Sequence, residues 1–180
     1  KNIIVGEDFK FGKNREGDIN LLREYAEKNM FNLMHYKKKG TNKYTYSSSI
    51  IRELIKSGNL EQANACLGYY WEVSGKVIRG RAKGRELGFP TANLTYLYQI
   101  SPANGIYACW IKVENEALWR KAAVSTGVRP HYKGSEKILE VHILNFAGNL
   151  YQKRLRIAFI KKIRDEAVFK NETKLINQMS

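Results

Sequence analysis

The sequence is poor in cysteine, proline and histidine. Among its 180 residues it has three prolines, three histidines and two cysteines, Cys66 and Cys109. Two distant cysteines are too few for a disulfide framework and have no metal-ligand spacing, which favours a reducing compartment, the cytoplasm. No apolar run approaches membrane-spanning length, and no charged-then-apolar leader is present. Neither a membrane partner nor a signal peptide is therefore predicted.

Acidic residues are also scarce. The chain has 17 of them against 31 lysines and arginines, a net charge of +14, and 19 of the basic residues lie after Gly68. Such a surface suits nucleic acid, a membrane face or a phosphorylated small molecule. A basic surface that binds nothing and is simply solvated is an equally good interpretation of the charge. Hydrophobic residues make up 43% of the chain, which excludes global disorder. The length predicts one domain, or one domain with part of another.

The first 68 residues predict alternating strands and helices. Apolar segments over Asn2–Val5 and Phe31–Tyr36 indicate strands, and Asp18 is placed to cap a helix between them. Further helices are predicted after the serines at 47–49 and up to Gly68. This alternation is typical of an α/β domain.

The sequence pattern changes at Tyr69. From there on, short segments with strand-like alternation of side chains are separated by turn residues. These segments predict an antiparallel sheet or small barrel. The expected strands are Trp71–Arg79, Gly105–Val113, Ala117–Ser125, Lys137–Phe146 and Arg154–Ile160. A final helix is expected from Asp165 onward, so this part of the chain is α+β.

The most informative segment is the glycine-rich stretch from Gly80 to Asn93. Gly80, Gly84 and Gly88 recur every fourth residue, and glycines let a backbone approach phosphate oxygens closely. Thr91 and Asn93 offer neutral oxygen ligands that suit a magnesium ion. The Gly-Lys-Ser/Thr ending of a Walker loop is absent. On these residues alone, a glycine-rich connection between strands is the more frequent alternative.

The string from Gly84 to Asn93, GRELGFPTAN, resembles the signature of the riboflavin kinase family. Later segments match that family in the same order, from Trp71 to the C-terminus: Pro102–Ala108, Leu139–His142, Tyr151–Ile160, and Ile163–Glu166 with Phe169. The resemblance implies a small antiparallel β-barrel with a C-terminal helix. It also implies transfer of the γ-phosphate of MgATP to riboflavin, which gives FMN.

The resemblance further implies residue roles. Glu140 would accept the proton of the attacking ribityl hydroxyl, although a surface glutamate on a strand is the alternative. Thr91 and Asn93 would ligate the Mg²⁺ that accompanies ATP, and His142 is expected to be structural. The expected ATP-binding residues are Gly80, Lys83, Gly84, Arg85, Gly88, Pro90 and Thr91. The expected flavin-binding residues are Tyr107, Gly127, Arg164, Glu166 and Phe169.

The first 68 residues resemble part of the adenylyltransferase domain of bacterial bifunctional FAD synthetases. The matching residues are Gly6, Asp8, Phe9, Phe11, Gly12, Arg15, Ser47, Ser48, Ser49 and Arg52. The family's His-x-Gly-His motif is absent from this chain. We therefore expect residues 1–68 to be an incomplete α/β nucleotidyltransferase domain and residues 69–180 a riboflavin kinase barrel. An upstream segment, or a homo-oligomer, would complete the first domain.

One segment departs from the family pattern, and two alternative functions stay open. Ser125 and His131 stand where the family has asparagine and threonine, which affects part of the substrate wall. A basic barrel that binds nucleic acid would fit the charge and the 11 tyrosines, but it does not explain the Pro-Thr-Ala-Asn string. A flavin-binding domain without activity is the other alternative. No specific nucleic-acid partner is predicted.

Overall fold

The computed structural model describes residues 1–40, 45–80, 88–95, 100–131 and 134–167. Side chains are described at most of these positions, but not at 95, 128–131 or 134–136. The chain divides into two compact units, Lys1–Ser47 and Ser48–Ser180. None of the helices in the described part has the length and apolar character needed to span a bilayer.

The first unit is a small α/β arrangement without a core of its own. Strands β1 (Asn2–Gly6) and β2 (Asn32–Tyr36) pair in parallel, and helix α1 (Ile19–Glu27) lies between them in sequence. Asp18 caps α1 as predicted, because its carboxylate accepts hydrogen bonds from two backbone amides, at 2.9 and 3.2 Å. Among residues 1–40 and 45–47, no apolar side chain is buried. Parallel strands normally need cover on both faces, so this unit is expected to have little stability by itself.

Two helices open the second unit and pack into the core of the barrel that follows. They are α2 (Ser48–Lys56) and α3 (Leu60–Leu67), and Gly68 ends α3 in the left-handed conformation, as the sequence predicts. Ile55 and Leu60 are each only 1% exposed and belong to the same apolar cluster as the barrel strands. These helices therefore lie in the barrel's compact unit, whereas the predicted boundary after residue 68 places them in the preceding domain. That boundary between families stays a prediction.

The rest of the described chain forms a closed antiparallel barrel, which confirms the predicted architecture. Its strands follow one another in the order β3-β4-β7-β6-β5-β8, and each of these strands pairs with two neighbours. The strands are β3 (Glu72–Ile78), β4 (Ala92–Thr95), β5 (Gly105–Val113), β6 (Trp119–His131), β7 (Gly134–Ile143) and β8 (Arg154–Arg164). Strand β4 is missing from the sequence prediction, because it has only four residues and directly follows a segment rich in glycine with one proline.

Strict alternation along β5 separates the barrel interior from its outer face. Tyr107, Cys109, Ile111 and Val113 are buried, and the residues between them are partly exposed. Burial raises the pKa of the Cys109 thiol, so this cysteine is a core residue and not a nucleophile. The predicted C-terminal helix falls almost entirely outside the described residues, which end at Ala167.

Candidate active site

Three polar residues from adjacent strands form one row on the outer face of the barrel. Asn93 on β4 is the direct cross-strand partner of Glu140 on β7, and Glu140 is the partner of Ser125 on β6. The flanking residues of each strand point into the core, so these three side chains point outward. Directly opposed residues have Cβ atoms about 4.5–5.5 Å apart. The predicted metal ligand and the predicted base are therefore neighbours.

The same row continues around the barrel to the predicted flavin arginine. Ser125 pairs with Ile106 on β5, and Ile106 pairs with Arg164 at the end of β8. Arg164 donates a hydrogen bond from its guanidinium to the backbone carbonyl of Asp165, at 3.0 Å. One ladder of strand pairs thus links Asn93, Glu140 and Arg164, with strands β6 and β5 between Glu140 and Arg164.

The side chain of Asn93 lies against the backbone of Gly80. Asn93 is 5% exposed although it lies on the outer face, and a Cβ placed on Gly80 would overlap its amide. Gly80 therefore makes room for Asn93. Whether Gly80 also contacts ATP stays a prediction. Lys83, Gly84 and Arg85, also predicted to bind ATP, lie outside the described residues.

Two predicted flavin residues meet next to this row. A Cβ placed on Gly127 would lie 3.0 Å from the Glu166 carboxylate, so Glu166 lies directly over Gly127. Gly127 follows Ser125 by two residues on β6 and shares its outward face. The structure therefore joins Gly127 and Glu166 into one wall beside Glu140. Phe169, which is predicted to continue this wall, lies outside the described residues.

Lys162 forms an ion pair within the segment that carries Arg164 and Glu166. Its ammonium donates to the Asp165 carboxylate at 2.6 Å, and this contact holds the pKa of Asp165 below its usual value. The stem of Lys162 passes between Gly58 and Gly105, where an added Cβ would lie 3.1 and 2.6 Å from it. The absence of side chains at both glycines thus allows Lys162 to reach its partner.

Tyr107 occupies a different environment from the other predicted flavin residues. It is fully buried, its hydroxyl donates to the carbonyl of Ala103 at 2.6 Å, and its ring meets Phe159 edge-on at 5.4 Å. This geometry makes Tyr107 a packing residue of the barrel core. Its assignment to flavin binding stays a prediction that the burial does not favour.

A cavity of about 630 Å³ opens at the barrel end where Thr91 lies. Interior residues of the barrel form its floor, and the loop between β7 and β8 forms one side. A hollow with a mixed apolar and polar lining and a hydroxyl at Thr91 suits a flat ring whose polar tail leaves past that residue. The lining residues are Val77, Pro90, Thr91, Ala92, Val141, Ile143 and the loop Phe146–Tyr151.

The loop Phe146–Tyr151 is a part of this site that the sequence did not reveal. Phe146 packs against Gly148 and lies beneath the Arg120 guanidinium, 5.1 Å from it. Tyr151 similarly lies 6.0 Å from the Arg79 guanidinium. Only the aromatic residues on either side of Gly148 could have indicated this role from the sequence. An ordinary turn between strands has the same composition, so they did not distinguish the two.

The predicted adenylyltransferase residues divide between the two compact units. In the first unit, Phe9 and Phe11 stack at 5.7 Å, and Asp8 pairs with Lys38, which lowers the Asp8 pKa. Gly6 ends β1, while Gly12 and Arg15 have positive φ in the loop that follows. Ser47 is the last residue of the first unit, and in the second unit Ser48 and Ser49 open α2, with Arg52 exposed one turn later. Their common role in a second nucleotide site stays a prediction.

Comparison with known proteins gives two matches along the chain. A family profile described as riboflavin kinase matches residues 67–180, and one described as FAD synthetase matches residues 1–50. Bifunctional riboflavin kinase/FMN adenylyltransferases from Buchnera aphidicola subsp. Schizaphis graminum and Escherichia coli K12 are 38% and 35% identical to it. Both align with the whole chain, which spans 58% and 57% of their lengths.

A solved structure has the same fold over nearly the entire chain. It is described as a macrolide-efflux protein from Streptococcus pneumoniae and superposes with a TM-score of 0.87 at 28% sequence identity. The match covers 98% of this chain and 57% of that one. The fold therefore recurs in a protein described by an unrelated activity, so function has to be argued from the site.

Proposed function

We propose that this chain, which belongs to the riboflavin kinase family, transfers the γ-phosphate of ATP to the ribityl 5′-hydroxyl of riboflavin and releases FMN. Members of this family use ATP, riboflavin and a divalent metal. The observation that carries the proposal is the register that places Asn93 directly opposite Glu140. Because the chain spans less than three fifths of its relatives, the proposal concerns the kinase part alone.

The residues near Glu140 fit a hard divalent cation, which we propose is Mg²⁺. Thr91 and Asn93 supply neutral oxygen atoms, and Mg²⁺ commonly takes few protein ligands together with substrate phosphates. Among the described residues, no group of three or more histidine, cysteine, aspartate and glutamate side chains could hold a metal. That agrees with a site completed by ATP. When bound, the ion would neutralise phosphate charge.

Glu140 is the residue of this chain that we propose handles the proton. Its side chain is partly exposed on the outer face of β7, between Asn93 and Ser125. It accepts the proton of the ribityl hydroxyl while that oxygen bonds to the γ-phosphorus and the bond to the β-phosphate oxygen breaks. ADP then leaves with the electron pair of the broken bond. Such reactions depend mainly on positioning, which the strand register supplies, and on charge neutralisation, which the bound cation would supply.

The two substrates are proposed to approach the row from opposite directions. The cavity beside Thr91 would take the adenine ring, so that the phosphates extend toward Asn93. The wall of Gly127, Arg164 and Glu166 would hold the flavin ring on the other side. We further propose a cytoplasmic location, which the unpaired cysteines at 66 and 109 support.

The proposed activity is tested directly with the purified chain. Riboflavin, ATP and MgCl₂ should give FMN, which separates from riboflavin by chromatography, and addition of EDTA should stop its formation. The reason is that phosphoryl transfer needs a cation to offset charge on the phosphates. A folded preparation that forms no FMN over a wide range of Mg²⁺ concentration would show that the proposed function is wrong.

The same preparation is expected to form no FAD from FMN, ATP and Mg²⁺. Adenylyl transfer needs groups that stabilise charge on the α-phosphate and the departing pyrophosphate. The three histidines of this chain, His35, His131 and His142, are not arranged as His-x-Gly-His. The measurement is chromatography of the reaction with a full-length bifunctional relative as positive control. FAD that forms only when this chain is present would contradict the expectation.

A further inference from the structure

The backbone pairing between β4 and β7 ends at Ala92. Beyond that residue, the side chain of His142 makes the contact between the two segments. Ala92 and Val141 form the last pair, and proline at position 90 has no N–H with which to extend the ladder. Instead, Nδ1 of His142 lies 3.0 Å from the carbonyl oxygen of Pro90. A carbonyl oxygen can only accept, so Nδ1 carries the proton of this hydrogen bond.

The His142 ring makes a second contact with the same segment. It meets the ring of Phe89 nearly edge-on, with centroids 5.7 Å apart. Both contacts fall on the two residues immediately before Thr91. On the opposite side of them Gly88 has a φ of +84°, a conformation that other residues rarely adopt. The stretch that leads into β4 is thus attached to β7 through one imidazole.

The place of His142 on β7 gives this attachment a consequence for the reaction. His142 follows Glu140 by two residues, so both side chains project from the same face of one strand. His142 therefore links the backbone of Pro90 to the strand that carries Glu140, one step beyond the last ladder pair, Ala92 and Val141. Thr91 is the next residue along the chain. Misplacement of reacting groups by about 1 Å can lower a rate by about a hundredfold.

We propose that His142 is a positioning residue, which holds Thr91 at a fixed place relative to Glu140 through its hydrogen bond to Pro90. This proposal rests on the proposed kinase function and extends it. In this role His142 would act through Pro90 and would not itself touch the reacting atoms or the proposed metal. It lies on the outer face, outside the buried core cluster, so its role differs from that of a packing residue.

The test uses a matched pair of variants of the whole chain, His142→Asn and His142→Leu. Both replacements have nearly the same shape and both remove the ring, but only asparagine can donate to the Pro90 carbonyl. The Leu variant is expected to lose about tenfold or more in kcat and to need more Mg²⁺ for half-maximal rate. The Asn variant should stay within about threefold of the parent, and KM for riboflavin should change little in either.

Hydrogen exchange over residues 88–95 gives a second readout that does not depend on activity. It should be faster in the Leu variant than in the Asn variant, because only the former loses the anchor. If the parent forms no FMN, the kinase proposal fails, and this comparison still decides whether His142 anchors the segment. Equal kcat, Mg²⁺ dependence and exchange in the two variants would overturn the positioning role. Should the Leu variant not fold, His142→Phe, which keeps a ring without a donor, replaces it in the same comparison.

Discussion

A Glu140→Gln protein is expected to bind ATP normally and to turn over roughly a hundredfold to ten-thousandfold more slowly. Glutamine has the shape of glutamate and can still hydrogen-bond beside Asn93 and Ser125, but it cannot take up the proton of the ribityl hydroxyl. The loss should therefore fall on kcat, with little change in KM for ATP. The measurement is the steady-state rate of FMN formation, together with calorimetric titration of ATP.

A suitable control for this variant is Glu53→Gln on helix α2. Glu53 has a highly exposed side chain and only a loose pairing with Lys56, with 4.0 Å between the charged atoms. Its replacement removes the same charge on a helix outside the row and should leave the rate unchanged. Should Glu140→Gln keep the parental rate while remaining folded, another group must accept the proton, and the assignment of Glu140 is wrong.

Removal of residues 1–68 is expected to unfold or strongly destabilise the barrel, whereas removal of residues 1–47 is expected to leave it folded. Ile55 and Leu60 are each 1% exposed within the barrel cluster. Fully burying such a side chain contributes roughly 1.5–3 kcal/mol. Residues 1–47 contribute no buried apolar side chain at their described positions, so their loss uncovers little of the core.

Asn64 adds a polar reason for the same outcome. Its amide donates to the carbonyl of Phe159 at 2.8 Å, and its oxygen accepts from the backbone amide of Trp71 at 2.8 Å. Deletion of α3 leaves these groups without their partner, and each unsatisfied buried group costs about 1–3 kcal/mol. Urea unfolding of fragments 48–180 and 69–180 measures the difference in the free energy of unfolding.

An internal check avoids deletion altogether. Ile55→Ala in the whole chain should lower the free energy of unfolding of the barrel by about 2–5 kcal/mol, the usual range for a buried isoleucine truncated to alanine. Equal stability of the two fragments, together with a negligible effect of Ile55→Ala, would show that α2 and α3 are dispensable. The domain boundary after residue 68 would then also be the boundary of folding.

Much of the fold followed from local patterns. The alternation in Gly105–Val113 predicted a strand with two opposite faces, and the structure shows that the face with Tyr107, Cys109 and Ile111 is the buried one. Asp18 and Gly68 predicted the start of α1 and the end of α3, because capping depends on the residues at those positions alone. Strand β4 did not follow, since four residues beside Gly88 and Pro90 are too few to show a period.

The residues of the candidate site were also predicted from the sequence, from the string that ends in Pro-Thr-Ala-Asn and the strand that carries Glu140, and their roles stay a prediction. What the sequence could not supply was their arrangement. Asn93 meets Glu140 because β4 pairs with β7, two strands that are not consecutive in the chain. Arg164 joins the row only through the pairing of β5 with β8, two strands that are also not consecutive in the chain. The alternation of side chains is a property of a single strand and can be seen in its sequence. The register between strands that are distant in the chain depends on how the whole core packs, so only the tertiary structure decides that register.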